Sequence, residues 1–408
     1  MLSADVPSSL HPFTIHARRG VPIRTKSIAK AALFVTTVPV TVEAFLLPFA
    51  KHFRSLGWRI DVLTKSATQR PGIAASFDTL YDITWSRNPL ALADHFDTWN
   101  RVRRIVVEGG YQVVHAHTPI AAFITRFALR SIDPENRPVI IYTAHGFHFY
   151  KGQPLLGHTA FKALEATAAP WTDYLVTINE EDYASAKLFK GISQEKIRLI
   201  PGIGVDTEIF SQSAVPVGEA ERIRRELNVD SDAFLIAMVA EFSPVKRHEH
   251  LLRALAMTRD SRIVTVFAGS GDLEPRLRQL AEELGVASRV RWAGFRNDIP
   301  ALLAASDVLT LVSEREGLPR SILEAMSMGV PVIGTQTRGI TDAVGDTGWI
   351  VAKHDVEALA SAIDAVAADR SEVRRKGALA QHRAREEFAI ADVLSAYEAL
   401  YAEALKPA

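Results

Sequence analysis

Short, unbroken apolar runs alternate with longer segments of helical periodicity from about residue 31 to residue 351, and this alternation limits the fold more than any other feature. In the first half the runs are 31–36, 59–64, 112–115, 139–143, 174–178 and 196–200, rich in β-branched residues. Helix-length segments at 42–56, 90–108, 120–131 and 181–189 lie between most of them. A strand that is apolar along its whole length, not at every second residue, is buried on both faces. Parallel strands also need long crossovers, which helices supply. The pattern therefore predicts a parallel sheet covered by helices on both sides.

After Pro201-Gly202-Ile203-Gly204 the pattern restarts, with runs at 234–239, 263–268, 289–293, 308–312, 331–334 and 349–351. Proline and glycine punctuation marks a boundary that few contacts cross. The 408 residues exceed one ordinary core and suit two domains of about 200 each. The expected organisation is a basic extension at 1–28, a Rossmann-like domain at 29–204, a second at 205–385, and a helix at 386–408 packing back on the first. In that last segment Val393, Leu394, Tyr397, Leu400 and Tyr401 recur at three- and four-residue steps, a face that must be buried. Two facing doubly wound domains hold ligands in the crevice at the carboxyl ends of their strands.

Charge and composition exclude several functions. Lys plus Arg and Asp plus Glu both total 47, so no net charge points to nucleic acid. The absence of cysteine excludes disulfides, thiolate zinc sites and a cysteine nucleophile, and suits a cytoplasmic setting. The apolar stretch 31–50 is broken by Thr36, Thr37, Pro39, Thr41, Glu43 and Pro48, so no transmembrane helix is expected. The tail carries His11, His16, Arg18, Arg19, Arg24 and Lys26 against one acid, Asp5, and reads as disordered. A basic arm touching anionic lipid is its sharper reading.

One stretch carries the chemistry. Residues 313–334 read SEREGLPRSILEAMSMGVPVIG, a strand end, a loop with Glu316 and Gly317, and a helix opened by Pro319. Proline suits the first helical turn, where its missing N–H costs nothing. The free N–H groups that follow, with the positive end of the helix dipole, make a site for a diphosphate. Glu316 and Glu324 lie eight positions apart, one in the loop and one inside the helix, and reach one ligand from different sides.

Glu-x7-Glu after a strand, within Glu-Gly-Leu-Pro…Leu-Glu-Ala-Met…Gly-Val-Pro-Val-Ile, resembles the signature of glycosyltransferase family 4. These are retaining enzymes of the two-domain GT-B fold, and the resemblance runs from about residue 30 to residue 400. It implies that Glu316 touches the transferred sugar and Glu324 the ribose, with Gly317, Leu318 and Pro319 beside the donor. Ala-Gly-Ser-Gly-Asp at 268–272 resembles the family's glycine loop, which brings Gly271 to the donor; alone it would be a tight turn. Residues 290–296 resemble the strand and loop beside the base, where backbone near Phe295 and Arg296 helps to hold it.

Two departures stand out. At 240–246 the family shows Gly-Arg-Leu followed by Lys, with both cations on the diphosphate. Here Glu241 replaces the arginine, leaving Lys246, the helix end and Arg247 to neutralise the leaving group. The first loop, 36–43, lacks the Gly-Gly turn of many relatives, so Thr37 or Thr41 is expected to hold acceptor or phosphate instead. In the first domain, His145 within 142–152 fits the family's histidine facing the donor sugar and its phosphate. His148 is a second polar contact on the acceptor side or a packing residue.

The longer phrase, with 115–119 and 177–183, resembles the branch that builds bacterial capsule, exopolysaccharide, lipopolysaccharide or lipid-linked oligosaccharide. It implies transfer from a nucleotide-sugar to a lipid-linked or oligosaccharide acceptor in surface polysaccharide synthesis. The expected donor is a UDP-linked hexose or N-acetylhexosamine, with GDP-mannose the alternative, and the expected acceptor a polyprenyl-diphosphate-linked saccharide at the cytoplasmic face of the inner membrane. Phe45, Leu46, Leu47, Phe49, Phe53 and Trp58 near Lys51, His52 and Arg54 suggest peripheral contact with that membrane, or else a core-facing helix. No cofactor or metal is expected: His115 is read as facing the opposite side of the sheet from His117, and Asp230-Ser231-Asp232 as a turn. The alternative is a nucleotide-sugar-binding protein without transfer activity, suggested by Glu241. A dinucleotide oxidoreductase needs Gly-x-Gly-x-x-Gly after the first strand, and that loop has no glycine.

Overall fold

The computed structural model describes residues 30–85, 92–150 and 155–406. The basic segment 1–28 and the Lys151-Gly152 end of the histidine phrase lie outside the described residues. The first sheet comprises β1 (Ala31–Val35), β2 (Arg59–Thr64), β3 (Leu80–Asp82), β4 (Val113–Ala116), β5 (Val139–Ala144), β6 (Tyr174–Thr177) and β7 (Ile197–Leu199), in the order β3-β2-β1-β4-β5-β6-β7. The second comprises β8 (Phe234–Val239), β9 (Ile263–Ala268), β10 (Val290–Gly294), β11 (Val308–Leu311), β12 (Val332–Thr335) and β13 (Trp349–Val351), in the order β10-β9-β8-β11-β12-β13. All pairings in both sheets are parallel. The edge strand β3 is the one the apolar pattern did not announce: it has three residues, all half-buried.

Both sheets reverse their winding beside their first strand, between β1 and β4 and between β8 and β11. Loops leaving such a switch point splay apart and open a crevice at the carboxyl ends. One side of the first sheet packs Leu33, Val35, Val114 and Tyr142 under its helices. The other side packs Phe34, Val62, Val113 and Val176 with Val393, Tyr397, Leu400 and Tyr401. Those last four belong to the helix Ile390–Ala404, which follows the second sheet in sequence yet covers the first. Phe53 stacks on Tyr401 at 4.5 Å and Phe49 meets Tyr397 edge-on at 5.3 Å. Burying an aliphatic such as Leu400 contributes about 1.5–3 kcal/mol, which fixes this helix firmly.

The chain passes between domains twice, side by side. Val205 donates to the Phe388 carbonyl at 2.8 Å, and Ile390 donates to the Val205 carbonyl at 2.9 Å. Among the described residues no helix is long and apolar enough to cross a membrane. The helix after β1 starts at Pro39–Thr41, widens to a π-helical turn over Val42–Leu46 and continues as Leu47–Ser55. Pro48 has no N–H to give the Ala44 carbonyl its usual partner, and a π-turn is a common way to accommodate such a break.

Candidate active site

On the second-domain rim, the loop leaving β11 runs beside the loop leaving β8. The Glu314 N–H donates to the Val245 carbonyl at 2.8 Å, and this register brings Lys246 Nζ to 2.5 Å from Glu316 Oε1. The next helix is Arg320–Ser327, with Pro319 extended as its N-cap, one position before the first turn and not inside it. The Pro319 carbonyl accepts from Ile322 at 3.2 Å, while the first backbone donors of the helix lack intrahelical partners. Glu324, buried one turn in, accepts from Arg320 Nη2 at 3.0 Å. Burial pushes its carboxyl above the usual range, and Arg320 pulls the other way.

The first-domain rim is built of histidines. His145 follows β5 directly; its Nε2 lies 3.2 Å from His117 Nδ1, and Phe45 from the π-turn stacks on its ring at 5.2 Å. His115 and His117 share one side of the sheet with ring centroids 4.1 Å apart, so the expectation of opposite faces is overturned. Residues two apart on a strand point the same way, which the reading of that phrase neglected. His115 is held by Tyr401 Oη and Thr143 Oγ1, each at 2.8 Å, and Thr143 reaches Tyr397 Oη at 3.0 Å. Burial holds His145 down to about 4 and His115 down to about 3, and keeps His117 well below its ordinary value. All three are therefore neutral imidazoles at pH 7.

The rims touch through backbone. A Cβ on Gly317 would stand 2.2 Å from the His145 carbonyl oxygen, and one on Gly339, at φ +73°, would stand 2.0 Å from the Gly317 oxygen. No side chain fits at Gly317 without prising the domains apart, and none fits at Gly339 without displacing the loop 316–318 of its own domain. Arg320 adds a second bridge, its Nη1 donating to the Ala44 carbonyl at 2.7 Å, the group that Pro48 deprives of its i+4 donor.

Other residues singled out in the sequence fall in different places. Leu318 packs toward Gly202 at the domain boundary. A Cβ on Gly271 would meet the Phe242 carbonyl at 2.5 Å, so this glycine is required by the packing of its loop on 240–242. The Arg296 guanidinium is committed to Asp298 at 2.6 and 2.7 Å and to Glu226 at 2.6 Å. The neighbouring Phe295 ring is 75% exposed. Arg247 pairs with Glu249 at 3.3 Å and Glu314 at 3.5 Å. Glu241 is exposed and forms no ion pair among the described residues.

Thr37 clasps the neighbouring loop, its Oγ1 2.5 Å and its N–H 2.9 Å from Thr118 Oγ1. Thr41 is buried. The His148 ring tilts against Phe161 at 5.3 Å; burial, with the charges of Arg315 and Arg338, holds it down to about 4. Asp230 and Asp232 stand before β8, at the end of the sheet away from the crevice. The sequence reading missed the roles of His117, Phe45, Arg320 and Arg338. For Arg338 the available signal was its position in a loop leaving a strand of the second sheet, next to a glycine.

Comparison with known proteins agrees with this geometry. Residues 42–209 match the family model Glycosyltransferase Family 4, and residues 219–383 match Glycosyl transferases group 1. The putative glycosyltransferase EpsD of Bacillus subtilis (strain 168) is 33% identical over 91% of this chain and 97% of its own length. The UDP-Gal:alpha-D-GlcNAc-diphosphoundecaprenol alpha-1,3-galactosyltransferase of Escherichia coli is 28% identical over 64% of this chain and 67% of its own. Among solved structures, Anabaena Alr3699/HepE in complex with UDP and glucose superposes with a TM-score of 0.77 at 20% identity, covering 92% of this chain and 100% of that one. The two facing parallel-sheet domains are the GT-B fold, and the chain belongs to the family 4 glycosyltransferases.

Proposed function

We propose that this enzyme moves a hexose or N-acetylhexosamine from a UDP-sugar to a polyprenyl-diphosphate-linked saccharide, with retention of configuration, in building a bacterial surface polysaccharide. The observation that carries the reading is the Lys246–Glu316 pair at the head of the helix Arg320–Ser327, next to a neutral His145. Breaking the sugar–phosphate bond leaves charge on the diphosphate, and fixed positive groups in a closed cleft stabilise it. Lys246 and the helix end supply that potential. As the diphosphate arrives, Lys246 exchanges Glu316 for a phosphate oxygen, and the freed carboxylate takes sugar hydroxyls. Glu324 holds the ribose, and His145 hydrogen-bonds the sugar without adding charge. The C1–phosphate bond breaks, the acceptor oxygen bonds C1 on the same face, and its proton passes to the departing phosphate.

The acceptor class is supported by the E. coli relative, whose name specifies a diphosphoundecaprenol-linked sugar. The donor class is supported by UDP in the Anabaena structure. Leu46, Phe49, Phe53 and Trp58 are core residues, so the outer face of Leu47–Ser55 offers Lys51 and Arg54 beside Pro48. Incubating the enzyme with UDP-galactose, UDP-glucose or UDP-N-acetylglucosamine and polyprenyl-diphosphate-GlcNAc tests the reading. The expected result is acceptor-dependent UDP release and an α-linked product by proton NMR. A β-linked product would refute retention. Binding of UDP-sugars with no turnover on any of these would favour the nucleotide-sugar-binding alternative that Glu241 raises.

A further inference from the structure

The phrase at 177–183 has no part in the chemistry above, yet it meets the second domain at the cleft. Asn179 caps the helix Glu180–Ala186, its Oδ1 accepting from the Asp182 N–H at 2.9 Å. The Asp182 carboxylate in turn accepts from the Phe147 N–H and from Asn179 Nδ2, both at 2.9 Å, which pins it beneath the loop that follows His145. Arg338, in the loop leaving β12 of the other domain, enters this place. Its Nη1 pairs with Asp182 and donates to the Phe149 carbonyl at 3.1 Å; its Nη2 donates to the Phe147 carbonyl. Its Nε donates back to the Glu316 carbonyl of its own domain at 3.3 Å. The side chains of Arg338 and Asp182 are 6% and 1% exposed. Asn179 Nδ2 also reaches the Gly317 carbonyl, at 3.3 Å.

One guanidinium thus ties the backbone after Glu316 to the backbone after His145. A planar fork that satisfies four acceptors at once fixes a distance and an angle, which a flexible ammonium does not. Burying a charged pair is unfavourable unless its hydrogen bonds are complete, and these are complete only with the rims together. The buried pair Arg126–Glu165, at 2.8 Å, lies wholly inside the first domain and has no such reach.

We propose that Arg338 is a positioning residue for glycosyl transfer, latching the cleft through Asp182 so that the Glu316 loop and the His145 loop are held at reacting distance. The latch rests on the reading that the sugar is transferred between those two residues. Its test uses the full chain and Arg338→Met, Arg338→Lys and Asp182→Asn, with UDP-glucose as the turnover probe and UDP as the binding probe. The expected result is a kcat for UDP release lowered about 10- to 100-fold in Arg338→Met and Asp182→Asn, with a smaller loss in Arg338→Lys. UDP affinity should stay within about threefold, because Lys246, Glu324 and the helix end belong to the second domain alone. The radius of gyration from X-ray scattering should rise in Arg338→Met as the rims part. A folded Arg338→Met with wild-type kcat and wild-type scattering would overturn the latch. So would a loss of UDP affinity equal to the loss of kcat, which marks damage to the donor domain. If wild type binds UDP but releases none from UDP-glucose, transfer from that donor fails while scattering still decides the latch.

Discussion

The two rims of the cleft share one winding and treat charge in opposite ways. The rim of the second sheet carries salt bridges: Lys246 with Glu316, Arg320 with Glu324, and Arg247 with Glu314. Strand ends of the first carry His115, His117 and His145, held neutral by burial, and the Thr37–Thr118 clasp. A diphosphate leaving group needs fixed positive charge, and a sugar ring needs hydrogen bonds that bring none. On the proposed reading the same topology serves two ligands, and the residues at its strand ends decide which.

Removing the cation should do as much damage as any single change. Lys246→Met should lower kcat by about 10²–10³-fold, the scale of losing one preorganised donor to a developing anion, as read by UDP release. A loss confined to KM would mean that Lys246 binds the donor without stabilising its departure. His145→Ala should cost less, about 10- to 100-fold, because it removes a neutral contact. Neutrality also has a sign in stability. The unfolded histidines titrate near 6.5 while the folded ones resist protonation down to about 4 at His145, so the unfolded chain binds more protons between these values. Stability should be level above about pH 6.5 and fall as pH drops below it, a trend that melting curves at pH 7.5 and pH 5 would show. A melting temperature unchanged at pH 5 would mean that these imidazoles are charged or exposed. The smallest effect belongs to Arg296→Ala: turnover within about twofold and a stability loss of about 1 kcal/mol or less, because its charge is spent on Asp298 and Glu226. A large kinetic loss there would move the base site onto that side chain.

How much of this was legible in the sequence follows from how local each signal was. Unbroken runs such as 31–36 and 234–239 announced two parallel sheets, because burial on both faces leaves no other pattern. β3 left no trace, since three half-buried edge residues make no run. The Glu316–Glu324 spacing was readable because one strand end and one helix carry it. The histidine chain was half readable: three histidines were visible, but the face shared by His115 and His117, and the reach of Tyr397 and Tyr401 from the far end of the chain, were not. Arg338 and Asp182 stand 156 positions apart and meet only when two domains close. No local periodicity encodes such a pair.

Glu316→Gln bears most directly on the division between the rims, since it removes the carboxylate assigned to the sugar and leaves every group assigned to UDP in place. Measured together by UDP release and calorimetry, kcat should fall by about 10²–10³-fold while UDP affinity holds or tightens, because Lys246 loses its competing partner. Wild-type turnover in this variant, or a collapse of UDP affinity with turnover of the bound donor intact, would contradict the placement of the transferred sugar at Glu316.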